Sequence, residues 1–312
     1  MENVSKRATR DAYGTAIARL AEQNKNIIVL DADLSKSTKS AEAKKTAPDR
    51  HFNLGIAEAN MMGVAAGLAT CGNTVFASSF AMFATGRCFD QIRNSICYPN
   101  LNVKICATHS GLTVGEDGAS HQTVEDLALM RAVPNMKVFC PCDARETEKI
   151  IEAVANIDGP CYVRLGRPAV EDVYQEDYDF QVGRGVQLKD GKDLTLVATG
   201  FETGQALEAA KLLEEDGISA RVINIHTIKP LDQDILIKAA KETSFLVTCE
   251  EHNIYGGLGS AVAEVLSEHC PTKVIRVGIK DTFGESGTPM QLIEKYGLSA
   301  KDIVKVVKEH LK

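Results

Sequence analysis

An acid set among small apolar neighbours is chemically costly unless something compensates it, and Glu58 in GIAEANMMGVAAGLA is such a residue. Two readings fit: a carboxylate favoured at the start of a helix by the macrodipole, or a desolvated acid able to share a proton with a ligand nitrogen. Phe80 and Phe83, in SSFAMFATGR, lie three apart on one face of a helical turn. Such a pair is commonly core; beside a desolvated acid it could also grip a flat heteroaromatic ring by stacking. The richest segment, THSGLTVGEDGASHQTVED from Thr108 to Asp126, holds His109, Asp117 and His121 between turn-forming glycines. Long loops in compact domains usually carry function, and these donors and acceptors suit a polyhydroxylated substrate, although bracing of the loop explains either histidine alone. Arg10 and Arg167 are candidate anion clamps that need a point of convergence.

Other motifs carry less. Cys140-Pro141-Cys142 lacks a second Cys or His pair at zinc spacing, so reduced thiols are expected there and no metal. Gly256-Gly257-Leu258-Gly259 precedes a helix without a dinucleotide or P-loop layout, which leaves helix-entry packing. His252, in EEHN, is expected to pack. The 312 residues hold 35 Lys and Arg against 42 Asp and Glu, a net charge of −7, with no basic block longer than Lys44-Lys45. That balance argues against nucleic acid or an anionic membrane as partner and for a small ligand. No apolar run is long enough to span a bilayer and the N-terminus is too charged for a signal peptide, so a cytoplasmic protein is expected. Nine cysteines, mostly inside apolar runs, read as reduced core thiols.

These residues need a frame. Short β-branched runs alternate with helical patterns throughout, the signature of parallel sheets with crossover helices. Strands are expected at 27–30, 52–55, 74–77, 103–107, 136–140 and 162–164. A first helix should bury Tyr13, Ala16, Ile17, Leu20 and Ala21. From Pro168 to about Gly191 the pattern fails, predicting a linker over 169–191. A second series follows, with strands at 194–198, 221–225, 245–249 and 273–277 and helices at 204–213 and 257–268. The fold class is α/β: two consecutive domains, 1–168 and 192–312, each with a mainly parallel sheet flanked by helices. Ligands bind outside the carboxyl ends of such strands, where Ser37, Glu58, Ser78, Ser79, His109, Asp143 and Arg167 all fall.

The runs FNLGIAEANMMGVAAGLA, SFAMF, THSGLTVGEDGASHQTVEDLALMRAVPNM and DGPCYVRLGRP resemble the pyrimidine-binding domain of transketolases. TGFETGQALEAAKLL, EEHNIYGGLGSAVAEVL and DTFGESGTPMQLIEKYGL resemble their C-terminal domain, in collinear order over essentially the whole chain. The GDG motif with its downstream Asn, by which that family's diphosphate-binding domain holds magnesium, is absent. The chain thus resembles the C-terminal half of a split transketolase, and the resemblance implies a partner subunit carrying the diphosphate-binding domain, in a two-plus-two heterotetramer. It also implies thiamine diphosphate as cofactor, with Mg2+ or Ca2+ held mainly by that partner.

Matched residue by residue, Glu58 takes the place of the glutamate that bonds N1′ of the cofactor's aminopyrimidine, whose imino tautomer deprotonates the thiazolium. Phe80 and Phe83 match aromatics packed on the pyrimidine, and Asp33 an aspartate near the thiazolium. Asp117 and His121 match residues on the sugar hydroxyls, His121 also assisting proton transfer, and His109 lines the channel. Arg10, Ser37 and Arg167 match the substrate-phosphate clamp. The implied reaction moves a two-carbon ketol unit from a ketose phosphate to an aldose. Two departures are Gly86, where an aromatic is frequent, and Ser110, where Asp is frequent. Competing readings are a 1-deoxy-D-xylulose-5-phosphate synthase or 2-oxoacid dehydrogenase beta-like subunit, disfavoured by GEDGASHQ with two arginines, and a non-catalytic paralogue, disfavoured by retention of Glu58, both Phe residues and His121.

Overall fold

The computed structural model describes residues 6–175 and 178–311. Its strands are β1 (Lys6–Ala8), β2 (Ile27–Asp31), β3 (His51–Asn53), β4 (Thr74–Phe80), β5 (Val103–Thr108), β6 (Lys137–Phe139) and β7 (Cys161–Arg164). They continue as β8 (Ala169–Glu171), β9 (Val186–Lys189), β10 (Leu194–Ala198), β11 (Ala220–Asn224), β12 (Thr227–Lys229), β13 (Leu246–Asn253) and β14 (Val274–Ile279). Three sheets result: a seven-stranded one in the order β12-β6-β7-β5-β4-β2-β3, a five-stranded one in the order β14-β13-β10-β11-β9, and the pair β1-β8.

Within the large sheet β3, β2, β4, β5, β7 and β6 are all parallel, and every residue of β2, β4 and β5 is buried. Strands covered on both faces must be apolar throughout, which is why these runs show no alternation. The helix Thr9–Gln23 buries Tyr13, Ala16, Ile17 and Ala21 at helical spacing. Helix Ala144–Ala155 starts at Asp143, whose side chain accepts from the Glu146 N–H, and buries Ile150, Ile151 and Val154.

The stretch 169–191 is more than a tether, since β8 pairs antiparallel with β1 and β9 antiparallel with β11. Between them Tyr174 and Tyr178 stack at 3.7 Å. Tyr174 accepts from Asn224 and Tyr178 donates to the buried Glu146 at 3.1 Å. The second domain also lends β12, antiparallel to β6, to the edge of the first sheet. One apolar cluster therefore runs from Leu30 and Val75 through Ile225 and Leu236 to Val262.

One buried group works against this packing. Glu202, at the start of helix Glu202–Glu215, is fully buried and neither carboxylate oxygen has a hydrogen-bond partner among the described residues. Burial first, and then the neighbouring Glu251, Asp302 and Glu250, raise its pKa well above the ordinary carboxyl value. A folded-state pKa above the unfolded one means stability present at low pH and lost as pH rises through the folded value. Glu202→Gln should therefore stabilise the chain at pH 8 by on the order of 1–3 kcal/mol in urea unfolding, with a much smaller gain at pH 5. An equal gain at both pH values would contradict the buried charge.

Candidate active site

The chain passes from β2 outward to β3, then returns across β2 to β4, so the strand order reverses between β2 and β4. A crevice opens outside the carboxyl ends at such a point. Here it is a cleft of about 400 Å3 lined by Asp33, Ile56, Glu58, Phe83, Arg87, Ser120 and His121, among others. The five adjacent strands β3, β2, β4, β5 and β7 each send a following segment to this edge. Strand β6 lies beyond β7, and Asp143 after it is occupied otherwise, capping its helix and accepting from the N–H groups of Val173 and Tyr174.

Glu58 is the first residue of helix Glu58–Thr70 and is 4% exposed. Its Oε1 accepts from Arg87 Nη1 at 2.9 Å, and the Arg87 guanidinium lies 4.2 Å over the Phe83 ring. Phe80 and Phe83 stack at 5.9 Å, with His121 edge-on to Phe83 at 5.2 Å. Arg87 is 52% exposed at its side chain, so its end of the pair stays in water while the acid is buried. A planar hydrogen-bond donor thus rests on the aromatic ring and bonds to the acid, which is the shape and polarity a flat heteroaromatic ligand would present.

On the other side of Phe80, the His109 imidazole stacks at 3.8 Å. Arg10 Nη1 lies 3.1 Å from His109 Nε2 and donates to the Ser37 carbonyl at 3.1 Å. Arginine has no acceptor, so Nε2 must accept and Nδ1 must carry the proton, which it donates to Thr108 Oγ1 at 2.8 Å. Burial first, then the charges of Arg10 and Arg167, lower the His109 pKa to about 3. His109 has a positive φ of 57°, the left-handed backbone that turns its ring back over Phe80. The same burial lowers the Arg10 pKa, helped by the like charge of Arg167.

Arg10 thus touches His109 directly, while Arg167 acts on it only through its charge. Arg167 itself donates to the Val114 carbonyl and to Glu116 at 3.0 Å. Asp33, with φ of 64°, exchanges hydrogen bonds with Asn53 at the rim. Asp117 is exposed at the end of the 3-10 turn Leu112–Asp117. Ser78 and Ser79 lie inside β4, Ser78 meeting Tyr13 Oη at 2.6 Å, so they do not line the cleft. Ser110 is buried and donates to the Leu165 carbonyl, and a Cβ on Gly86 would meet only the flexible end of Met82. Among the described residues no group of three or more His, Cys, Asp or Glu could hold a metal ion, and no helix is long and apolar enough to cross a membrane.

Sequence reasoning missed three residues. Arg87 shows nothing until its guanidinium is seen on Phe83. Gln122 donates to Leu112, Gly115 and Glu285 carbonyls, and Glu251 reaches the loop from the second domain, accepting the Thr113 N–H at 2.5 Å. Both lie far from their partners or bond only to backbone.

Two mainly parallel α/β domains, with a buried acid, stacked aromatics and two arginines toward one sheet edge, define the fold class. The chain belongs to the transketolase family, as a C-terminal subunit of the split type. The transketolase pyrimidine-binding domain matches residues 5–172 and the transketolase C-terminal domain residues 183–303. A putative transketolase C-terminal section from Methanocaldococcus jannaschii is 51% identical over 97% of this chain and 96% of its own. Human transketolase is 39% identical over 96% of this chain, which spans 48% of that protein. A split gene transketolase described as an inactive beta4 tetramer superposes with a TM-score of 0.90 at 55% identity, covering 98% of this chain and 99% of its own.

With its Nε2 accepting from Arg10, His109 should stay neutral across the physiological range. In 15N-labelled chain its ring nitrogens should show the Nδ1–H tautomer with no titration between pH 5 and 8. A midpoint near the ordinary histidine value would disprove the Arg10 contact.

Proposed function

We propose that this chain is the catalytic C-terminal subunit of a two-chain transketolase, which moves a two-carbon ketol unit from a ketose phosphate to an aldose phosphate. In this reading thiamine diphosphate sits between the chain and a partner subunit, which holds the diphosphate and its Mg2+ or Ca2+. The observation that carries the reading is the buried Glu58 carboxylate bonded to a planar cation that rests on Phe83. Thiamine diphosphate, when bound, supplies a thiazolium carbon that becomes nucleophilic on losing its proton. Glu58 would hold the proton at a pyrimidine ring nitrogen, taking that ring in place of Arg87. Phe80 and Phe83 would pack on the ring, with Asp33 near its reactive end.

Arg10, Ser37 and Arg167 would receive the substrate phosphate. Neutral His109 would line the channel, and Asp117 and His121 would meet the sugar hydroxyls, His121 also moving a proton. Two arginines whose charges both act on His109 favour a phosphorylated sugar over a small oxoacid.

The partner has a surface to occupy. Helix Glu58–Thr70 is apolar on nearly every side, yet Asn60, Gly63, Gly67 and Thr70 face outward, and Ile56 beside it is 77% exposed. Helices apolar all round are ordinarily covered, and small residues let another backbone approach closely. The likeness to a split transketolase described as an inactive beta4 tetramer supports a requirement for the missing half.

Two experiments test this. With the partner reconstituted, Glu58→Gln should lower turnover of ketose phosphates on the order of 10²–10⁴ fold, and a near-normal rate would end the reading. A Cβ at Gly63 or Gly67 meets nothing within 4 Å in this chain, so the double Leu variant should melt no lower than the parent. The same variant should lose co-elution with a diphosphate-binding partner; retained assembly would put the interface elsewhere.

A further inference from the structure

The second domain touches the site through the end of one strand. Strand β13 closes with Glu250, Glu251 and His252, all buried. Glu250 turns inward and accepts from the N–H groups of Leu258 and Gly259 at the start of helix Leu258–His269. Glu251 turns the other way, leaving its domain for the loop after β5. Its Oε1 accepts the Thr113 N–H at 2.5 Å and its Oε2 the Thr113 hydroxyl at 3.3 Å. Gly111, with φ of 77°, approaches so closely that a Cβ there would lie 2.3 Å from Oε1. The carboxylate thus fills a cradle that only glycine leaves open.

The strand is itself fixed from the first domain. Arg164 Nη2 donates to the Glu251 carbonyl at 2.9 Å while its Nε donates to Asp126 at 2.8 Å. The Asn253 N–H donates to the Val124 carbonyl at 2.7 Å. The loop is pinned at Thr113 and again at Val124, and between the pins lie Asp117 and His121. Thr113 is wholly buried, so its amide needs a partner within the fold and Glu251 is the side chain that supplies it.

We propose that Glu251 is a positioning residue, through which the C-terminal domain sets the register of the sugar-facing loop 111–124 against the cleft. The proposal rests on the reading of that cleft as a transketolase site and gives the C-terminal domain a part in substrate binding. A loop shifted by an ångström from remote causes can lose about 10²-fold in rate.

The test uses the chain reconstituted with its diphosphate-binding partner. Glu251→Ala should raise KM for ketose phosphates on the order of 10-fold or more while thiamine diphosphate affinity stays within about 2-fold of the parent, because Glu58 and Phe83 stand outside the pinned segment. Glu251→Gln, which keeps an oxygen for the Thr113 amide, should recover most of the loss. General destabilisation would instead lower the active fraction with KM unchanged, and that outcome, or unchanged kinetics, overturns the proposal. Hydrogen exchange decides independently of activity: in Glu251→Ala amides 111–122 should exchange faster while those of β10 and β4 stay protected. Uniform acceleration, or none, also overturns it. If the parent complex shows no sugar turnover, the functional reading fails, whereas the exchange result still rules on Glu251.

Discussion

A charged group at the dry edge of a parallel sheet is stable only if its surroundings supply what water no longer does, and the first domain is organised around that requirement at Glu58. The acid stands at the first turn of its helix, where the macrodipole favours negative charge, and it accepts a hydrogen bond from Arg87. Phe83 lies under the guanidinium, Phe80 stacks on Phe83, and His109 stacks on Phe80. Arg10 then fixes the tautomer of His109. The chain of contacts runs from one carboxylate across three strand ends, so the acid's environment and the cationic end of the cleft are parts of a single packed row.

The strand order makes that row possible. Reversal between β2 and β4 brings the segments after β3, β2, β4, β5 and β7 side by side. The second domain meets the first by two routes: β12 extends the sheet beyond β6, and β13 delivers Glu251 to the loop after β5, at the site's edge. An interface built from backbone pairing and buried carboxylates is poorly suited to sliding, because each polar group lost from its partner would be stranded out of water.

All ten parallel strands were legible in the sequence, and the four missed, β1, β8, β9 and β12, are short antiparallel edge pieces. The reason is physical. A parallel strand covered on both faces must be a continuous apolar run, as in Ile27–Asp31 or Val103–Thr108, whereas β8 or β9 is half solvated and too short for alternation to register. The site followed the same division. Glu58, the Phe pair and the histidines stand out because their types clash with their neighbours. Arg87 and Glu251 are ordinary polar residues in the sequence, and only the distance across the fold, 29 positions for Arg87 to Glu58 and 138 for Glu251 to Thr113, makes them matter.

The same physics bears on how such a site can be divided between chains. The two larger sheets share one apolar cluster, so each buries its apolar face within the chain. Among the surfaces it leaves uncovered is the outward face of helix Glu58–Thr70 with Ile56 beside it. Glu58 is the first residue of that very helix and Ile56 lines the cleft, so a body seated on the small-residue face and on Ile56 would reach the cleft's rim. Docking and desolvation of the site would then be one event, since exclusion of water strengthens every electrostatic contact the acid makes. A carboxylate used in this way belongs at the boundary of the chain, where the low dielectric it needs can be completed by a second surface.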